Sequence, residues 1–431
     1  MTLREEEKMM RKSRKRVFIL LLACVWLPAA FAQSTAHYQL MLSEVDGTTA
    51  QEALQLLESN VPLYKAYLAG APDPSEPLNI SFYRNRERFN DALAPQGLPA
   101  GRGDFIYLDF NDPKRNVLYI YPLDIKDAQG NSSAFLSAAA MEQKLNRHGF
   151  LQYSLTVLPK APAWLREGSA LMFEAIEHNS DGTAPVLVGS RSDYLVNLKR
   201  IHSENPMPLA DLLALTDGMN GTFLKDMERN LTYAWGFVHY LTATGQQGVL
   251  TEAVRAVDDS KSYEENRAAV AALIGAKNLQ NGFYAYITDS KSFPELIDEG
   301  KAAFESGSYE QARALFTEAS QARSDLYTAY YYLGLVNFTA NNYEEAKNNY
   351  SKALEKGAPE ALINFSLGYT AFKEGDYQQA AALLSQAKAA DFANYGSRAD
   401  AILKVIPAQE ELKAQAPAPQ SANATAEIPV S

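Results

Sequence analysis

The side chains best suited to metal chemistry lie in and just beyond one stretch, "RHGFLQYSLTVLPKAPAWLREGSALMFEA", Arg147 to Ala175. It carries His148, Glu167 and Glu174, and His178 follows. Imidazole nitrogens and carboxylate oxygens are the ligands of hydrolytic zinc centres, where the metal turns a bound water into a nucleophile. Glu167, Glu174 and His178 follow one another at spacings of seven and four, which on a continuous helix lines them along one face. With His148 nearby, the four form a candidate metal site. The competing reading is a solvated helical face, with Glu167 bonded to backbone or to a neighbouring tyrosine or arginine, and His148 a satisfied polar residue.

A zinc peptidase needs two imidazoles one helical turn apart, a glutamate beside the first as general base, and a further acidic ligand from a following helix. The order of elements here is strands, a helix, a short proline-bearing loop and then "WLREGSALMFE". Over roughly Leu78 to Phe293 it resembles the peptidase MA-like family of the gluzincin clan, and "YAWGFVHYL" (Tyr233–Leu241) resembles that family's later helix. The resemblance places HExxH on His148-Gly149-Phe150-Leu151-Gln152. His148 keeps the first ligand and Glu167 the third, while Gly149 replaces the general base and Gln152 the second ligand. Glycine cannot accept a proton, and an amide is a poor zinc ligand. Tyr233 matches a transition-state hydroxyl of active relatives, or else is a packing tyrosine. A register that puts Glu142 in the base position offers Met141 and Leu145 as ligands, which is worse. The resemblance therefore implies an α+β peptidase-like domain with a degenerate site and no cofactor; a zinc-dependent metallopeptidase with an unconventional site is the alternative.

The C-terminal third repeats every 34 residues: "AFESGSYEQARALFTEA", "NFTANNYEEAKNNYSKA" and "AFKEGDYQQAAALLSQA" align without gaps. Small residues recur where two helices touch and aromatics where neighbouring repeats meet. This resembles the tetratricopeptide repeat and implies an all-α solenoid, residues 294–406, of three repeats and a capping helix. Such arrays bind protein or peptide partners along their first helices. Here that helix carries Tyr330, Asn337, Asn364 and Ala371 as candidate contacts. The alternative is a solenoid that packs on the preceding domain.

The remaining elements frame these two regions. Residues 37–77 read as a helical lead-in, and "LNISFYRN", "DFIYLDF" and "NVLYIYPL" as strands. Residues 78–293 make the peptidase-like domain, and 407–431 a low-complexity, disordered tail. At the start, "RKSRKR" precedes the apolar run "VFILLLACVWLPAAFA", an export signal over residues 1–32 with Met9 or Met10 as an alternative start. Cleavage after "AFA" frees Gln33; the competing reading lipidates Cys24, the chain's one cysteine. Export without disulfides fits a bacterial periplasm or cell envelope. The chain's formal charge is −11, and seven basic and three acidic side chains in residues 1–32 leave about −15 for the remainder. Such a charge excludes DNA or an anionic membrane face as a partner, so membrane contact is expected only through a lipid on Cys24. "RGD" at Arg102–Asp104 is read as a chance tripeptide, and the sequons at Asn79 and Asn230 matter only where glycosylation machinery is present.

Overall fold

The computed structural model describes residues 34–45, 47–68, 71–96, 106–109, 116–121, 138–178, 185–187, 192–217 and 221–415. The export segment with Cys24, the RGD tripeptide and the last sixteen residues lie outside them. The chain divides into two compact units, residues 1–188 with 197–289, and residues 189–196 with 290–431.

The first unit opens with strand β1 (Tyr38–Ser43), helix α1 (Gly47–Tyr67), strand β2 (Leu78–Phe82), helix α2 (Arg86–Leu93), and strands β3 (Ile106–Asp109) and β4 (Val117–Ile120). They form one sheet in the order β1-β2-β4-β3, with β1, β2 and β4 parallel and β3 antiparallel on β4. Residues 37–77 are therefore not a helical lead-in. Tyr38 pairs with Leu78, and α1 is the crossover that parallel neighbours require. "VLYI" in β4 is buried throughout, as expected of a strand inside a parallel pair.

The long helices α3 (Ala138–Val157) and α4 (Ala163–Phe173) follow the sheet. Next come the short ribbon β5 (Ile176–Glu177) and β6 (Val186–Leu187), then α5 (Ser192–Glu204), α6 (Leu209–Leu213), α7 (Met227–Ala243), α8 (Gln247–Arg255), α9 (Tyr263–Ile274) and α10 (Ala276–Asp289). An aromatic cluster joins α1, α3 and α4: Phe150 stacks on Phe173 at 4.1 Å, and the Tyr64 ring meets both edge-on. Helices α4 and α7 approach closely at Gly168, where an added Cβ would stand 2.4 Å from the Ala234 carbonyl oxygen. Trp164 meets Phe237 across the same contact. "WLREG" and "YAWGFVHYL" are thus packing partners, and the glycine is there because two backbones touch.

The second unit contains α11 (Phe293–Glu305), α12 (Tyr309–Ala322), α13 (Tyr327–Thr339), α14 (Tyr343–Glu355), α15 (Glu360–Glu374), α16 (Tyr377–Ala390), α17 (Phe392–Leu403) and α18 (Ile406–Gln415). The 34-residue period appears in space as a glycine on the first helix of each pair set against a large side chain on the second. Gly300 faces Phe316, Gly334 faces Tyr350 and Gly368 faces Leu384. The turn within each pair repeats as well, with left-handed backbone at Gly307, Asn341 and Gly375. The expected tail beginning at residue 407 is corrected over its first part, because α18 continues to Gln415. Pro407 suits a first helical turn, and the buried Ile406 anchors the helix against Ala371 and Ala380.

Candidate functional site

Helix α3 carries His148, Gly149 and Gln152, the residues onto which the resemblance places HExxH. Gly149 lies under α1, and a Cβ built on it would be 2.4 Å from Leu57 Cδ2 and 2.9 Å from the Tyr64 hydroxyl. Gln152 is fully buried and works as a clamp. Its amide donates to the backbone oxygens of Asn79 at 2.8 Å and Asn116 at 3.1 Å, which ties α3 to β2 and to the start of β4. The Asn116 amide returns a bond to the Gln152 carbonyl. His148 donates from Nδ1 to the Lys144 carbonyl at 2.8 Å, one turn back along its own helix. Burial, helped by the Arg147 charge, pushes its pKa down to about 3, so the ring is neutral near pH 7.

The carboxylates are engaged by cations of the protein. Glu174 is buried, with Lys144 Nζ at 2.9 Å and Arg147 Nη1 at 3.6 Å from Oε1. Arg147 reaches Glu167 with its other terminal nitrogen, Nη2, at 3.7 Å, so one guanidinium spans both glutamates. Arg166, also buried, pairs with Glu167 and with Asp217. Helix α4 ends at Phe173, so Glu167, Glu174 and His178 do not share a helical face as their spacing suggested. Glu174 caps that helix, and the chain turns into β5, where Ile176 pairs with Leu187. His178 lies past the strand, with Glu142 Oε1 at 2.7 Å from Nδ1 and Asn60 Oδ1 at 2.8 Å from Nε2.

These residues do not fit a zinc ion. Among the described residues, no three His, Cys, Asp or Glu side chains stand together to hold a metal. A second cation entering beside Arg147 or Lys144 would be opposed by about 4 kcal/mol per unit charge at 4 Å in a partly buried setting. Tyr233 is likewise used internally: its oxygen accepts the Met207 N–H at 2.9 Å and lies 2.9 Å from His202 Nδ1. It supports the loop before α6. The sequon asparagines are also engaged, Asn230 donating to the Phe223 carbonyl and Asn79 accepting from Gln39. Lys144 and Arg147, which hold these carboxylates, are not among the candidates read from the sequence. Their signal was two cations one turn apart on the helix that bears His148.

The repeat unit corrects the partner-contact residues. Of the four proposed, Asn337, Asn364 and Ala371 are buried, and Asn337 accepts a bond from Arg313. Tyr330 is half-buried, with Lys352 over its ring. The open stripe lies beside them: Tyr331, Leu335 and Phe338 on α13, and Phe365, Tyr369 and Phe372 on α15. Each trio is spaced i, i+4, i+7, and the two trios are 34 residues apart. All but the buried Phe365 are half-buried. Phe338 meets Tyr369 across the repeats at 5.3 Å, and Phe365 meets Tyr395 of α17 at 5.3 Å. A stripe of this kind offers ring-lined, largely apolar surface, which suits binding.

A family model for the tetratricopeptide repeat matches residues 297–346 and 338–394. The C-terminal region therefore carries tetratricopeptide repeats, a protein-interaction module. No curated protein matches the chain.

Proposed function

We propose that this chain is an exported, non-catalytic scaffold in which a peptidase-like domain, kept for its shape, is joined to a repeat module that binds a protein or peptide. The observation that carries the reading is the stripe on α13 and α15. Each of these helices buries one face, with Ala329, Leu333 and Val336 on α13, and its second apolar face, Tyr331, Leu335 and Phe338 on α13, packs in part on the core of the next repeat. The area that these half-buried side chains leave uncovered is the apolar surface a partner would meet. The basic and apolar N-terminal run supports export to a periplasm or envelope. Cys24 would supply a lipid anchor if cleavage falls before it.

The reading is tested by placing a photo-crosslinking phenylalanine analogue at Phe338 or Tyr369 in the full chain, and at Leu354 on α14 as a control. Leu354 is 39% exposed but lies outside the stripe. The two stripe positions should give the same discrete adduct in the producing cell, and Leu354 none. Equal labelling at all three positions, or no adduct from the stripe, would refute it.

A further inference from the structure

We infer that Arg147 and Arg166 bind the carboxylate of a ligand, which gives the first unit a binding site of its own. The inference goes beyond the repeat module and does not rest on it.

A buried guanidinium ordinarily spends its N–H groups on acceptors at hydrogen-bonding distance. Arg147 does not. Among the described residues it donates no hydrogen bond: its contacts with Glu174 and Glu167 stand at 3.6 and 3.7 Å, and its Nε is buried without a partner. Arg166 is 3% exposed. It reaches Asp217 through Nη2 and Glu167 through Nε at 3.5 Å, and its Nη1 is buried and unpartnered. The two guanidiniums meet the two oxygens of one carboxylate, Arg147 at Glu167 Oε2 and Arg166 at Oε1. Their unused donors therefore belong to one place in the fold. The side chains of Lys144, Arg147, Glu167 and Asp217 are each partly exposed, so that place is reached from solvent.

The hydrogen-bond inventory selects the ligand. The surplus is of donors, and an ionised carboxylate offers acceptors alone, with two oxygens that match the guanidinium fork. A hydroxyl or an amide would bring further donors. Charge then selects among oxyanions. Lys144, Arg147 and Arg166 face Glu167, Glu174 and Asp217, so the cations and the carboxylates of the group balance. A group without net charge takes the single charge of a carboxylate more readily than the larger charge of a phosphate. The contacts of Arg147 are too long to be hydrogen bonds, so a ligand oxygen can take its N–H groups without breaking one.

The test uses the full chain with isotope-labelled arginine, read by nuclear magnetic resonance. The probes are a degenerate set of short peptides ending in a free carboxylate, the same set ending in an amide, and benzoate, with inorganic phosphate as competitor. The Arg147 Nε–H resonance, assigned by its loss in Arg147→Lys, should move with the free-carboxylate peptides or with benzoate and stay in place with the amides. Arg147→Lys keeps a charge beside both glutamates but has no fork. It should bind about tenfold or more weakly, the effect of losing one hydrogen bond between charged groups. If that variant does not fold, the second readout is the wild-type melting temperature, which should rise with the carboxylates and not with the amides. Binding of the peptides names a chain terminus as a source, and binding of benzoate a free acid; either result supports the inference. If the amides bind as well, or phosphate displaces the peptides at lower concentration than benzoate does, the carboxylate assignment is wrong. A resonance and a melting temperature that move with no probe would show that ordered water alone meets these N–H groups, and would overturn the inference. Phe338→Ala/Tyr369→Ala should bind the carboxylates like wild type, so this inference and the repeat reading fail separately.

Discussion

A chain carrying Gly149→Glu with Gln152→His, which spells the complete HExxH motif, is expected to lose most of its folding stability and to gain no zinc-dependent hydrolysis. The first substitution drives a side chain into Leu57 and Tyr64, since even a Cβ would stand 2.4 Å from one and 2.9 Å from the other. Overpacking of that kind costs about 1–3 kcal/mol, and burying a carboxylate among apolar side chains, with only the Tyr38 and Tyr64 hydroxyls near, adds more. The second removes the amide that bonds to the backbone oxygens of Asn79 and Asn116. Each buried carbonyl left unpaired costs about 1–3 kcal/mol. The sum reaches about 5 kcal/mol or more, the lower range of a whole domain's stability. Thermal unfolding should show the first unit melting at least about 10 °C lower. Gly149→Ala alone should show a smaller fall from packing only. A double variant that folds normally and cleaves peptide with zinc would contradict this expectation.

Arg147→Ala is expected to destabilise the same unit by about 2–4 kcal/mol. Breaking a buried ion pair typically costs about 3–5 kcal/mol, because the abandoned charge has lost its water. The lower figure applies because Arg147 is 16% exposed and Lys144 still faces Glu174. The decisive measurement is a double-mutant cycle with Glu174→Gln, by chemical denaturation. If Arg147 holds Glu174 in place, the second substitution should recover part of the loss and the cycle should show coupling above about 1 kcal/mol. Additivity within about 0.5 kcal/mol would show that the two do not act together.

The parts of this molecule that were legible in its sequence are the parts whose physics is local. The 34-residue period is one, because each repeat packs chiefly on its neighbours and the contact residues recur at fixed offsets. Its phase was harder to read. Tyr330, Asn337, Asn364 and Ala371 lie one residue from Tyr331, Phe338, Phe365 and Phe372, which is about 100° around a helix. Helices apolar on two faces give a periodicity that does not say which face looks inward. Strand β1 was missed for another reason: "YQLMLS" pairs with residues 40 positions later, and only that pairing makes it a strand. The stop of α4 at Phe173 carries no glycine or proline to announce it. Gly149 and Gln152 show in the sequence that no complete HExxH motif stands at His148. That Arg147 joins the two glutamates is visible only in space.

The most direct test that these carboxylates hold no metal is the zinc content and zinc affinity of the full-length protein, measured beside Glu167→Ala by elemental analysis and calorimetry. With Arg147 and Lys144 holding the carboxylates, only trace zinc and no tight binding are expected, and the same zinc content in Glu167→Ala. Stoichiometric zinc in the wild type that disappears in Glu167→Ala would contradict it.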